Sequence, residues 1–272
     1  MIAPRRPPPP AFTLIEVLVT IALIALLVGL LLPTLGSARQ RSRAAVCLSN
    51  LRQIGAAHLM YAGDFQDRCM PLAYWSAETT GDGPPVYWWG TNDPAGVDYT
   101  RGFLWPYLDA RLSERSVLEC PSQPADEYRA AGAANTVTST YGYNGYYLCP
   151  PHTPGWAFQI GHRPWMRIAS IRDSAAVFAF ADTLIDLGGD RPFNCALLDP
   201  PLLFSGGNWT RNRNPTTAFR HADAAHAVAL DGHAERHAAQ RNWLTSARWR
   251  VGSVGRDNDP HYVPDWRDWR RP

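Results

Sequence analysis

The stretch "PPPPAFTLIEVLVTIALIALLVGLLLPTLG", residues 7–36, decides how the rest of the chain is read. From Leu14 to Leu35 it supplies the ~20 apolar residues that a bilayer-spanning helix requires. One acid, Glu16, stands inside that run. A carboxylate in a membrane segment costs up to about 3.5 kcal/mol on insertion scales, and such a residue is usually functional.

Two general readings leave Glu16 unexplained. A secretory signal peptide would use Arg5 and Arg6 as its basic end and "LGSAR" as a small-residue cleavage site after Ala38. The apolar run, however, exceeds the usual ~7–15 residues of such a peptide. A plain signal anchor fits the length but gives the acid no task. Its charges are also inverted, because Arg39, Arg41, Arg43 and Arg52 follow the span that Arg5 and Arg6 precede. The positive-inside rule alone favours the opposite orientation.

A third reading rests on a resemblance. "AFTLIEVLVTIALIALLVGLLLP" is similar to the class III leader of type IV prepilins and type II secretion pseudopilins. In that family a short leader is cut just before a Phe, the new N-terminus is methylated, and a Glu stands fifth. Counted from Phe12, Glu16 is fifth and Pro33 twenty-second, both at the family's offsets. Ala11 departs from the Gly that nearly always precedes the cut. The resemblance implies a leader over 1–11, cleavage between Ala11 and Phe12 by a prepilin peptidase, and N-methylation of Phe12. It also implies a role for Glu16 in filament assembly. The physical basis is a cationic amine at Phe12 with Glu16 four residues, or about 6 Å, deeper along a helix. Pairing the two, within a subunit or between subunits, offsets part of the cost of burying either charge.

Composition narrows the chemistry. All 26 basic residues are arginine, which excludes a P-loop lysine, a Schiff base and a Ser-Lys dyad. The formal charge of +2 does not announce a polyanionic partner. With 24 Pro, 21 Gly and 11 Trp, the part beyond the apolar segment should be rich in loops. Its five cysteines, Cys47, Cys69, Cys120, Cys149 and Cys195, include no C-x-x-C pair, so zinc-ribbon spacing is absent.

Helical character is expected to continue past Pro33, which Gly29 and Gly36 flank. The membrane-spanning half is read as 12–36 and an amphipathic half as 37–64, with Gly63-Asp64 as the stop. Cys47, Leu51, Ile54, His58 and Tyr61 form a stripe at helical spacing, widened by Leu48, Gly55, Leu59 and Ala62. Arg41, Arg43, Arg52 and Gln53 should stay wet, and His58 is read as a packing residue rather than a ligand. Residues 65–272 are then a loop-rich globular domain. Within it, "SAAVFAFADT" (174–183) reads as a strand. Asp231-Gly232 between two alternating runs is the strongest short-range hairpin signal. A two-residue turn there sets Leu230 against His233, Val228 against Glu235 and His226 against His237. The alanine face (Ala225, Ala227, Ala229, Ala234, Ala238) is expected to lie against the long helix.

The C-terminal part carries a second resemblance. His221, nine residues, then Asp231-Gly232 matches the H-x(9)-DG motif of one branch of prepilin-like proteins, which also resembles this chain in "CLSNLRQIG", "LECPSQ" and "STYGYNGYYL". The likeness covers residues 12–70, 117–147 and 175–240. It implies an α+β, pilin-like fold, with a long N-terminal helix packed on a small antiparallel sheet. It also implies that Cys47 and Cys120 form a natural disulfide tying helix to domain.

The function expected is a structural subunit of a type IV pilus-like or type II secretion pseudopilus filament, not an enzyme. Its partners would be other pilin-like subunits, the prepilin peptidase, an inner-membrane assembly platform and membrane lipid. The chain would cross the bacterial inner membrane once, with its C-terminal domain outside the cytoplasm. The first alternative is a minor pilin acting as an adhesin for sugar or DNA, drawing on the tryptophans and the C-terminal Arg–Trp interleaving. Four acids dilute that interleaving, so Arg–Trp stacking inside the domain is expected and nucleic acid is not. The second alternative is a metal protein built on His221, His226, His233 and His237, with Glu235 or Asp223 as a third ligand to a His226–His237 pair. No cofactor and no metal are expected. His221 is read as structural, its ring bonded to the backbone near the Asp231 turn.

Overall fold

One helix, α1 (Leu14–Asp64), dominates the chain. Its start is fixed by a capping box: the Glu16 main-chain N–H donates to Thr13 Oγ1 at 3.3 Å. In return Glu16 Oε2 accepts from the Thr13 main-chain N–H and hydroxyl, each at 2.8 Å. The helix continues through Pro33, as expected, and stops at Asp64, which accepts from the Tyr107 hydroxyl at 2.8 Å. The computed structural model describes residues 13–93, 96–108, 116–123, 139–153 and 157–269. Ala11 and Phe12 lie outside them. The chain forms two compact units, Met1–Ser42 and Arg43–Pro272.

In the first unit, the apolar side chains from Leu14 to Leu32 and that of Leu35 are exposed. This part of α1 is long and apolar enough to be a membrane span or a signal sequence. In the second unit the same helix is buried on the expected stripe, with Cys47, Leu51 and Ile54 at 0% exposure, His58 at 1% and Tyr61 at 3%. Burying each large apolar side chain there is worth about 1.5–3 kcal/mol. Arg43, Arg52 and Gln53 are exposed, and so is Leu59 of the widened stripe, whereas Gly55 and Ala62 are buried.

The stripe packs on an antiparallel sheet of β1 (Tyr141–Tyr143), β2 (Phe178–Asp182), β3 (Ala224–Ala229) and β4 (Ala234–Ala238). Its order is β4-β3-β2-β1, so sequence neighbours are spatial neighbours despite the long connections. Further small sheets lie outside it, including a hairpin of Leu202–Ser205 with Asn208–Arg211. The described architecture is α+β, with one long N-terminal helix and small antiparallel sheets.

The β3–β4 hairpin forms, but in another register. His226 opposes Arg236, Ala225 opposes His237 and Ala227 opposes Glu235. The cause is the loop: Ala229 N–H bonds the His233 carbonyl at 2.9 Å, so Leu230, Asp231 and Gly232 all lie in the turn. Gly232, at φ 91°, takes the left-handed position that closes a three-residue hairpin loop. One residue of slip moves a side chain to the other face. His226 and His237 therefore point to opposite sides, and the expected imidazole pair does not form.

The face expected against the helix is reversed on β3. Val228, not Ala225 or Ala227, meets α1, in one cluster with Leu51, Ile54, Tyr143 and Phe180. Ala234 of β4, opposite Val228, packs against that cluster as expected. Ala227 and Ala181 face a second cluster with Phe178, Tyr147, Phe204, Tyr262 and Trp269. A bulge in β2 allows this, because Val228 opposes Phe180 while Ala229 opposes Phe178. Phe178 and Phe180 thereby serve opposite faces.

Candidate functional site

The polar core of the second unit lies where α1, β2 and the start of β3 converge. Asp182 is the last residue of β2, on the helix-facing side two positions beyond Phe180. Its carboxylate is fully buried and well supplied. Oδ1 accepts from the Cys47 thiol at 3.4 Å, and Arg220 Nε stands 3.9 Å away. Oδ2 accepts from His221 Nε2 at 3.1 Å and from the His226 main-chain N–H at 2.8 Å.

A tight turn delivers the two histidines. His221 and Ala224 exchange main-chain bonds at 2.9 and 3.2 Å around Ala222 (φ 47°) and Asp223 (φ 61°). Both central residues are left-handed, which places the rings of His221 and His226 face to face at 4.1 Å and 9°. The Arg236 guanidinium bonds the Ala222 carbonyl at 3.0 Å, and Arg250 pairs with Asp223 at 2.6 Å. These contacts hold the backbone there.

Cys120 closes the cluster. Its main-chain N–H donates to Thr140 Oγ1 at 2.6 Å, and its sulfur lies 3.4 Å from His221 Nε2. Cys47 and Cys120 are both free thiols. Tyr141 borders Cys47 and accepts from the Asn50 amide at 3.5 Å.

Electrostatics follow from burial and these partners. Burial pushes the Asp182 carboxyl up, but the His221 bond and the Arg220 charge outweigh it and hold it below the ordinary range. At His221 burial acts downward, and the Asp182 and Cys120 hydrogen bonds overcome it, raising the ring to about 9. Burial, then the neighbouring His221 charge, lowers His226 to about 4. Burial above all drives the Cys47 thiol up. With Cys47, Cys120 and Asp182 all at 0% exposure, the thiols are not presented to a substrate unless the fold opens.

The sequence-derived candidates distribute unevenly. Cys47, Cys120 and His221 come together. Asp231 and Gly232 do not join them, since they cap the far end of β3. There Asp231 Oδ1 bonds the His233 main-chain N–H at 3.0 Å and the His233 ring at 2.6 Å. His221 thus bonds Asp182 and Cys120, not the backbone beside Asp231 as expected. His237 packs on Phe178 and His261. Asp182, Arg220 and the role of His226 were missed. The available signal was the acid ending the apolar run "FAFAD", since a buried carboxylate requires partners.

The tryptophans divide between packing and stacking. Trp88 and Trp89 are buried at 1% and 6%, and Trp88 Nε1 donates to the Ala196 carbonyl at 3.0 Å. Arginines lie over Trp165, Trp269, Trp243, Trp249 and Trp266, as the Arg–Trp expectation held. No family model, curated protein or solved structure matches the chain.

Proposed function

We propose that this protein is a structural subunit of a type IV pilus-like or type II secretion pseudopilus filament, anchored in the bacterial inner membrane by the first half of α1. One observation carries the reading. Along a single helix, every described apolar side chain from Leu14 to Leu32 is exposed, whereas from Cys47 onward the apolar stripe is buried in the domain. Such a helix leaves a long hydrophobic half for lipid or for neighbouring copies of itself. In this reading prepilin peptidase cuts between Ala11 and Phe12, Phe12 is methylated, and the domain lies outside the cytoplasm. The protein then works by assembly with other pilin-like subunits on an inner-membrane platform, without chemistry of its own.

Intact-mass and N-terminal analysis of protein from native membranes tests this. The expected mature chain begins with N-methylated Phe12. A mature N-terminus at Arg39 would make the segment a secretory signal and end the filament reading.

A further inference from the structure

We propose that Cys47, Asp182, His221 and His226 form a structural zinc site that fastens α1 to the sheet. The inference does not depend on the filament reading. One ligand atom from each of these residues lies within 4.8 Å of all the others, and all four residues are buried. The set combines thiolate, imidazole and carboxylate donors, which is the range zinc accepts in four-coordinate sites. With zinc–nitrogen bonds of about 2.0–2.1 Å and a zinc–sulfur bond of about 2.3 Å, ligand atoms in a tetrahedron stand roughly 3.3–3.8 Å apart. His221 Nε2 and Asp182 Oδ2 are 3.1 Å apart, and Cys47 Sγ and Asp182 Oδ1 are 3.4 Å apart.

An independent observation points the same way. Nδ1 of His226, whose ring stacks on that of His221, is buried with no hydrogen-bond partner. A buried polar atom left without a partner is costly, and one aimed among an imidazole, a carboxylate and a thiol invites a cation. The Cys47 thiolate and the Asp182 carboxylate match the two charges of a divalent ion, and on binding the Cys47 thiol and the His221 imidazolium each release a proton to solvent. Arg220 Nε stands 3.9 Å from Asp182 Oδ1, the oxygen nearest Cys47, and adds to the field that keeps the carboxylate ionised.

The four donors come from α1, the end of β2, the turn at His221 and strand β3, with Cys47 and Asp182 separated by 135 positions in the sequence. One ion therefore joins segments that no short-range contact connects. Only His221 and His226, as H-x4-H, have the spacing of a zinc-finger ligand pair; Cys47 and Asp182 lie far from them in the sequence, so the full set has no local signature. Cys120 borders the site through His221 and Cys47 and is not one of the four donors. The competing fate of the sulfurs is a Cys47–Cys120 disulfide, which would take Cys47 from the ion.

The test uses the full chain, purified in detergent without chelator after growth with added zinc. Elemental analysis should find about one zinc per chain. Cys47→Ser and His226→Ala should each lose most of it, while Cys120→Ser and His237→Ala keep it. Cobalt(II) exchanged into the wild-type protein should give a thiolate-to-cobalt charge-transfer band that Cys47→Ser abolishes and Cys120→Ser retains. The cobalt band in the wild type decides the matter even if His226→Ala fails to fold. Wild-type protein that takes up neither metal overturns the proposal, whether its thiols are free or bridged. Zinc retained in folded Cys47→Ser also overturns it.

Discussion

Gly55 of α1 lies directly over Val228 of β3: a Cβ on Gly55 would stand 2.6 Å from Val228 Cγ2. The helix reaches the sheet this closely because one partner has no side chain and the other has a stiff, branched one. Gly55→Leu should therefore destabilise the domain by about 1–3 kcal/mol despite the better helix propensity of leucine. Val228→Ala in the same chain should recover part of that loss. Thermal unfolding of the two single variants and the double variant measures the coupling. Additive effects would show that the two residues do not share this contact.

The contact also explains which expectations failed. The alternation around Asp231-Gly232 located the hairpin, and the stripe from Cys47 to Tyr61 located the buried helix face, because both are local periodicities. Which sheet face meets the helix depended on a three-residue loop instead of a two-residue one, and on one bulge in β2. Both are single-residue differences that leave the composition unchanged. The turn at Ala222-Asp223 was illegible for a related reason. It uses left-handed backbone at an alanine, where glycine or asparagine is the usual sign. The polar cluster was legible only as separate residues, since Cys47, Cys120, Asp182 and His221 are brought together by tertiary packing alone.

The Ala222 turn makes a prediction of opposite sign. A non-glycine residue at φ 47° carries a steric cost of about 1–2 kcal/mol. Ala222→Gly should relieve most of it, less the extra freedom glycine gives the unfolded chain. A gain of about 0.5–1 kcal/mol is expected, read as a higher midpoint of thermal unfolding. A loss of stability would mean that Ala222 does not occupy the left-handed region in solution.

His58 should make the domain acid-sensitive. Its ring sits against Tyr143 and Phe180 at 5.5 and 6.0 Å, and neither nitrogen has a hydrogen-bond partner. Burial lowers its pKa from 6.5 to about 4. The unfolded chain thus binds a proton that the folded chain refuses between these values. The contribution is intact above pH 6.5 and is lost as pH falls toward 4, by about 3 kcal/mol in all. His58→Leu removes that dependence. Unfolding of the wild type and the variant at pH 7 and pH 4.5 should show the variant losing less stability on acidification. Equal losses would place the His58 ring in contact with water.

Glu16 has two tasks that one pair of substitutions separates. Its carboxylate accepts two hydrogen bonds from Thr13 at 2.8 Å, which is a complete helix-capping role needing no partner subunit. The filament reading adds a second role, in which the negative charge pairs with the amine of a mature Phe12. Glutamine closes a capping box as glutamate does but carries no charge. Thr13→Val removes the threonine's cap at a cost of about 1 kcal/mol and leaves the charge. If charge pairing sets the register between subunits, Glu16→Gln should insert in the membrane and be processed, yet fail to enter filaments. Glu16→Leu should do the same, while Thr13→Val should assemble. The fraction of protein recovered in sheared filaments measures this. Normal assembly of Glu16→Gln would leave the cap as the whole reason for an acid in an apolar segment.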